Sequence, residues 1–124
     1  MTRRRSRRLT VGPERFRWSV GHRHGGPSGV DCQEVLTVFR EKPAGGHFRF
    51  AFPLDGAVVH QGGVWRPGAG GPGTGGYLNL NLPGTVRALL DEARASGHSL
   101  TVGAAAEVDG RQFFDAVLAR LGDR

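Results

Sequence analysis

The chain is short of sulfur and of lysine: one cysteine (Cys32), one methionine and one lysine (Lys42) in 124 residues. A single cysteine excludes an internal disulfide, which fits a reducing compartment without demanding one. Long apolar runs are also missing. After the basic start, Leu9, Thr10, Val11 and Gly12 stop far short of a signal-peptide segment. Nothing elsewhere approaches the roughly 20 apolar residues of a membrane span. These absences lead us to expect a cytoplasmic protein with no membrane partner. The length suits a single domain with one modest core that folds without disulfides.

Positive charge is abundant but unevenly placed. The net charge is +6. Arg3, Arg4, Arg5, Arg7 and Arg8 supply five of those charges within eight residues, leaving 12 basic against 11 acidic residues in the rest. A basic arm on a nearly neutral body argues for nucleic acid more weakly than a basic face would. The arginine excess, with many Gly, Ala and Pro, suits a high-GC bacterial genome and is discounted accordingly.

Residues 1–12 read as a disordered arm, because clustered like charges repel and bring no apolar surface to bury. The domain then spans 13–124. Phe16, Trp18 and Val20 alternate with Arg15, Arg17 and Ser19, the period of a half-buried strand. A loop is expected from Gly21 to Gly29. From Cys32 to Arg40, β-branched and aromatic residues on both faces predict a central strand. A turn over Lys42–Gly46 leads to Phe48, Phe50 and Phe52, alternating with His47, Arg49 and Ala51. A short strand over Ala57–His60 follows. Residues 62–76 hold eight glycines and two prolines, which predicts a mobile surface loop.

Beyond it, Leu78, Leu80 and Leu82 face the core, with Tyr77, Asn79 and Asn81 in the opposite phase. Pro83 suits the first turn of a helix, Val86, Leu89, Leu90 and Ala93 form its stripe, and Gly97 is placed to end it. Ser99–Val102 reads as a short strand. Asp109 resembles an N-cap with Gln112 as its capping-box partner, opening a helix through Phe113, Phe114, Val117, Leu118 and Leu121. The expected class is α+β: a small, mostly antiparallel sheet of about four to six strands with two helices packed on one face. Strand order and oligomeric state are not legible.

Constellations with chemical potential are few. His22, His24, Cys32 and His60 are the right ligand types for zinc, but only one close pair exists where two are usual. Cys32 opens the expected central strand, where cysteine serves as a small hydrophobe, and a nucleophilic role needs an electropositive, exposed setting. No serine sits in a Gly-x-Ser-x-Gly elbow. The glycine run 68–76 enters a strand rather than a helix, so it is neither a P-loop nor a dinucleotide fingerprint. We assign no catalytic residue, metal or cofactor.

The run Gly76–Ala93, with its Tyr77-Leu78-Asn79-Leu80-Asn81 head, Pro83 and Val86, resembles a YLNLN-P-x-x-V segment of small uncharacterised bacterial proteins. The resemblance implies a shared α+β fold and no catalytic residue. It covers about a fifth of the chain and also reads as a strand-to-helix corner.

Two readings of function remain, with an enzyme ranked behind both. In the first, the chain is a protein-interaction module, immunity-like or regulatory, binding through Tyr77, Asn79 and Asn81 with Arg49 nearby on the sheet. Asparagine is a poor strand former, so two on one strand suggest that their amides are used by a partner or by neighbouring backbone. In the alternative, Arg3, Arg4, Arg5, Arg7 and Arg8 bind nucleic-acid phosphates.

Overall fold

The computed structural model describes residues 6–23, 32–53, 58–60, 62–66, 70, 75–98 and 105–122. Among these residues, eight strands and two helices run in the order β1 (Arg7–Val11), β2 (Glu14–Arg23), β3 (Gln33–Lys42), β4 (His47–Pro53), β5 (Val58–His60), β6 (Gly63–Trp65), β7 (Tyr77–Asn79), α1 (Pro83–Ala95), β8 (Ala105–Asp109) and α2 (Phe114–Gly122). A 3-10 turn, Gly110–Phe113, leads into α2. The class is α+β, as the strand-rich first half and helical second half imply. No helix among the described residues is long and apolar enough to cross a membrane.

The larger sheet has the order β1-β2-β3-β4-β8. The first four strands are antiparallel neighbours in chain order, and β8 adds parallel to β4 at the far edge. The sequence points to a strand at Ser99–Val102, which lies outside the described residues. The strand observed next is Ala105–Asp109, a largely exposed edge whose sequence carries little apolar signal.

Arg7–Val11, within the expected arm, is a strand. Gly12 at φ +58° turns the chain in two residues, so that Leu9 pairs with Phe16 and Val11 with Glu14. Such a turn needs a residue that tolerates positive φ, and Gly-Pro supplies it. Strand β2 likewise continues to Arg23, through residues expected in the loop. Part of the glycine-rich 62–76 segment is ordered pairing: β6 sits between β5 and β7 in a second, three-stranded antiparallel sheet.

One core joins the pieces. Phe16, Trp18, Leu36, Val38, Phe48, Phe50 and Phe52 from the large sheet meet Val64, Leu78 and Leu80 from the small one. The helices close it with Val86, Leu89, Leu90, Ala93, Phe113, Phe114 and Val117. Both helices therefore lie on the same face of the large sheet. Helix α1 starts at Pro83, directly after its N-cap Leu82. It ends in a Schellman arrangement: Gly97, at φ +95°, donates to Arg94 O at 3.0 Å, and His98 N donates to Ala93 O at 3.0 Å. At α2, Asp109 caps Arg111 N at 3.0 Å, while Gln112 Nε2 reaches back to the Asp109 carbonyl at 3.1 Å.

Candidate functional site

The helices and the small sheet occupy one face of the large sheet, which leaves its other face for side chains in the opposite phase. Cross-strand register sets out that outer face in rows. Arg8, Arg17, Phe39, His47 and Ala105 pair in turn across all five strands. The adjacent row is Ser19, Thr37, Arg49 and Glu107. At one end Arg23 pairs with Gln33, and at the other Arg15 pairs with Lys42 beyond a bulge. Arg8, Arg15, Arg17, Arg23 and Arg49 thus come to one face from three strands. Strand alternation explains why: each is an even number of residues from its neighbours of the same phase.

Between the two rows lies a shallow depression of about 220 Å³, lined by Ser6, Arg17, Ser19, Thr37, Phe39 and His47. Trp18 also borders it, and three of its lining residues, Ser6, Ser19 and Thr37, carry hydroxyls. One wall is aromatic: the half-buried Phe39 ring stacks on the exposed His47 ring, with centroids 4.9 Å apart and planes 27° from parallel. Arg17, the cross-strand neighbour of Phe39, is held by Nε donation to Glu41 Oε2 at 2.8 Å and Nη1 donation to Ser6 Oγ at 3.2 Å.

The acidic groups of this face are largely engaged. Glu107 accepts from Arg23 at 2.9 and 3.0 Å, and those hydrogen bonds hold its carboxyl below the usual range. Asp109 is held low by the Arg111 guanidinium in the same way. Among the described residues, no carboxylate forms an ion pair with Arg8, Arg15 or Arg49.

The arginines of the expected arm divide at β1. Arg8 points to the outer face. Arg7 points the other way, with its guanidinium 5.2 Å from the Trp18 ring centroid and Nη1 donating to the Asn81 carbonyl at 2.6 Å. Arg3, Arg4 and Arg5 lie outside the described residues.

Arg49 is not brought together with Tyr77, Asn79 and Asn81. It alternates with Phe48 and Phe50 and so faces away from the core, whereas β7 belongs to the small sheet on the core's other side. Tyr77 is exposed and lies against Trp65, ring centroids 4.6 Å apart. Asn79 Oδ1 accepts from Asn81 N at 2.9 Å, the local side-chain-to-backbone bond that asparagine makes at turns. The Asn81 side chain packs against Gly62. β7 ends at Asn79, and these amides shape the turn into α1.

One polar cluster sits at the core's edge. Glu34 is only 1% exposed. Its Oε2 accepts from Gly62 N at 3.1 Å, and its Oε1 lies 2.6 Å from His22 Nδ1, directly across the β2–β3 ladder. Gly62 also takes Leu80 N on its carbonyl at 2.7 Å. The cluster therefore ties the large sheet to the β5–β6 turn. Cys32 is half-buried two residues before Glu34. His24 lies outside the described residues, as does the His60 side chain, and among the described residues no three His, Cys, Asp or Glu groups are placed to hold a metal ion.

Sequence reasoning missed Phe39 as a surface residue, because both β3 faces are apolar, and it placed Arg8 in a disordered arm rather than on a strand of the sheet. The Val11-Gly12-Pro13-Glu14 turn, between Leu9 and Phe16, was the available signal for β1. Comparisons with protein-family models, with curated proteins and with solved structures each find no match for this chain.

Proposed function

We propose that this domain is an interaction module that holds an anionic macromolecule against the outer face of its five-stranded sheet. The observation that carries this reading is the convergence of Arg8, Arg15, Arg17, Arg23 and Arg49 on one sheet face. A regular sheet fixes such cations relative to one another, and a rigid basic face attracts polyanions far better than scattered charges do.

The test is elution from immobilised heparin, a generic polyanion. Arg17→Ser/Arg49→Ser should elute at distinctly lower salt than the parent. Arg87→Ser/Arg120→Ser removes the same charge from the helices and should shift elution much less. Equal shifts for the two pairs would refute the assignment to this face.

The small sheet supports a second reading, in which the partner is a protein and the role immunity-like or regulatory. Among the described residues, Tyr77 and Leu82 are the exposed large hydrophobic ones, at 41% and 53%. Exposed aromatics held against a neighbouring ring, as Tyr77 is against Trp65, suit protein contact. A partner captured by the intact protein and lost on Tyr77→Ser, with an unchanged melting temperature, supports this reading. Retention of every captured partner removes it.

A further inference from the structure

We infer that the anionic partner of the outer face is a single-stranded nucleic acid, with one base stacked on the Phe39–His47 pair. The inference rests on the reading of that face as the binding surface and adds the identity of what it binds. Charge alone would accept any polyanion. The depression adds features that a sulfated sugar or an acidic peptide does not use. Its wall is a stacked aromatic pair whose outer ring, His47, is exposed. Its lining includes Ser19 and Thr37, whose hydroxyls both donate and accept, as base edges require. Arg17, and Arg8 next to it in the same row, both lie on the β1 side of that pair, positioned for phosphates of the strand that runs from the stacked base toward β1.

A flat sheet face carrying a stacking ring among arginines is the arrangement by which sheet-based domains hold unpaired bases, because every base has a π-face. A duplex keeps its bases in its own stack and has none to offer. Its phosphates would meet the arginines while the aromatic wall went unused.

The experiment compares binding of fluorescent 20-mer uridine and thymidine oligonucleotides, a duplex of equal length, heparin and polyglutamate to the full chain. We expect both single strands to bind, and the duplex, heparin and polyglutamate to bind more weakly at matched salt. His47→Ala should weaken the oligonucleotides by about 5- to 150-fold, the range for losing one stacked base, and leave heparin elution unchanged. His47→Phe, which keeps a ring, should retain the oligonucleotides. His47 is exposed, so an unchanged melt confirms that each variant is folded. Arg17→Ser should lower the salt slope by roughly 0.7. A stronger response to uridine than to thymidine strands identifies RNA, and the reverse identifies DNA. An oligonucleotide affinity unmoved by His47→Ala overturns the inference, as does equal binding of duplex or tighter binding of polyglutamate. If heparin still depends on Arg17 and Arg49 in that case, the face remains the binding surface and only its partner is wrong. Loss of both dependences removes the face itself.

Discussion

Two buried or half-buried acids show how single residues govern this molecule. Glu34 is placed in the core's edge and survives there because Gly62 N–H and His22 Nδ1 satisfy it. Replacing it by leucine keeps the volume but orphans the Gly62 amide. We expect Glu34→Leu to cost about 1–3 kcal/mol, the price of a buried unpaired donor, read as a lower urea midpoint at unchanged slope. Glu14, at the start of β2, takes a bidentate grip from Arg94 at 2.6 and 2.7 Å and a further bond from Arg40 at 3.2 Å. The Arg94 hydrogen bonds, helped by Arg40 and opposed by burial, hold its carboxyl below the ordinary value of 4.5. A depressed folded value means the contribution is present above the unfolded value and is lost as pH falls below it toward the folded one. Glu14→Gln should therefore destabilise by about 1.5–3 kcal/mol near neutral pH, as for hydrogen bonds to charged groups. The gap between variant and parent should close as pH is lowered through and below 4.5. A gap independent of pH would show that the ion pairs contribute nothing.

At the scale of elements, β1 and the β5–β6 turn are the joints. Strand β1 covers the β2 edge, and Leu9 and Val11 pack against the core. Deleting residues 1–5 leaves β1 whole and should change stability by less than about 0.5 kcal/mol, as for surface changes generally. Deleting residues 1–11 removes that apolar cover and uncovers a strand edge. The loss should be on the order of 2–3 kcal/mol, from the burial of one or two aliphatic side chains, with a tendency to associate. Gly62 adopts φ +85° with Asn81 packed where a Cβ would go. Gly62→Ala should cost at least about 1–3 kcal/mol through backbone strain, and its failure to do so in thermal melts would mean that the turn relaxes freely.

Over the whole molecule, two sheets and two helices share one hydrophobic cluster. They should unfold together. The two tryptophans allow a direct check, since Trp18 reports on the large sheet and Trp65 on the small one. Trp18→Phe and Trp65→Phe proteins should each show a fluorescence transition that coincides with the loss of helical dichroism. An earlier transition at Trp65 would make the small sheet a separate, weaker unit. Leu80→Ala, at the junction of β7 and α1 and fully buried, should lower both transitions equally, by about 2–5 kcal/mol.

Much of the element structure was legible in the chain because alternation and helical period are local properties. Phe16 and Trp18, then Phe48, Phe50 and Phe52, then Leu78 and Leu80 announce buried phases on strands. Pro83, the Val86–Ala93 stripe and Gly97 delimit α1 through backbone angles that each residue carries with it. What the chain did not disclose depends on which distant segments pair. Phe39 has apolar neighbours in both phases, and only its registry with Arg17 and His47 turns it outward. Arg7 and Arg8 read as one repulsive run until pairing with β2 sends one beneath Trp18 and the other to the outer face. The second sheet hid in a glycine-rich stretch because β6 owes its order to partners on both sides rather than to its own propensity. Arg49 and Tyr77 have the same polar-face signature, yet they lie on different sheets. The basic face with its stacked pair is thus a product of register, because a residue's phase is set along the strand while its neighbours across the sheet are set by the pairing.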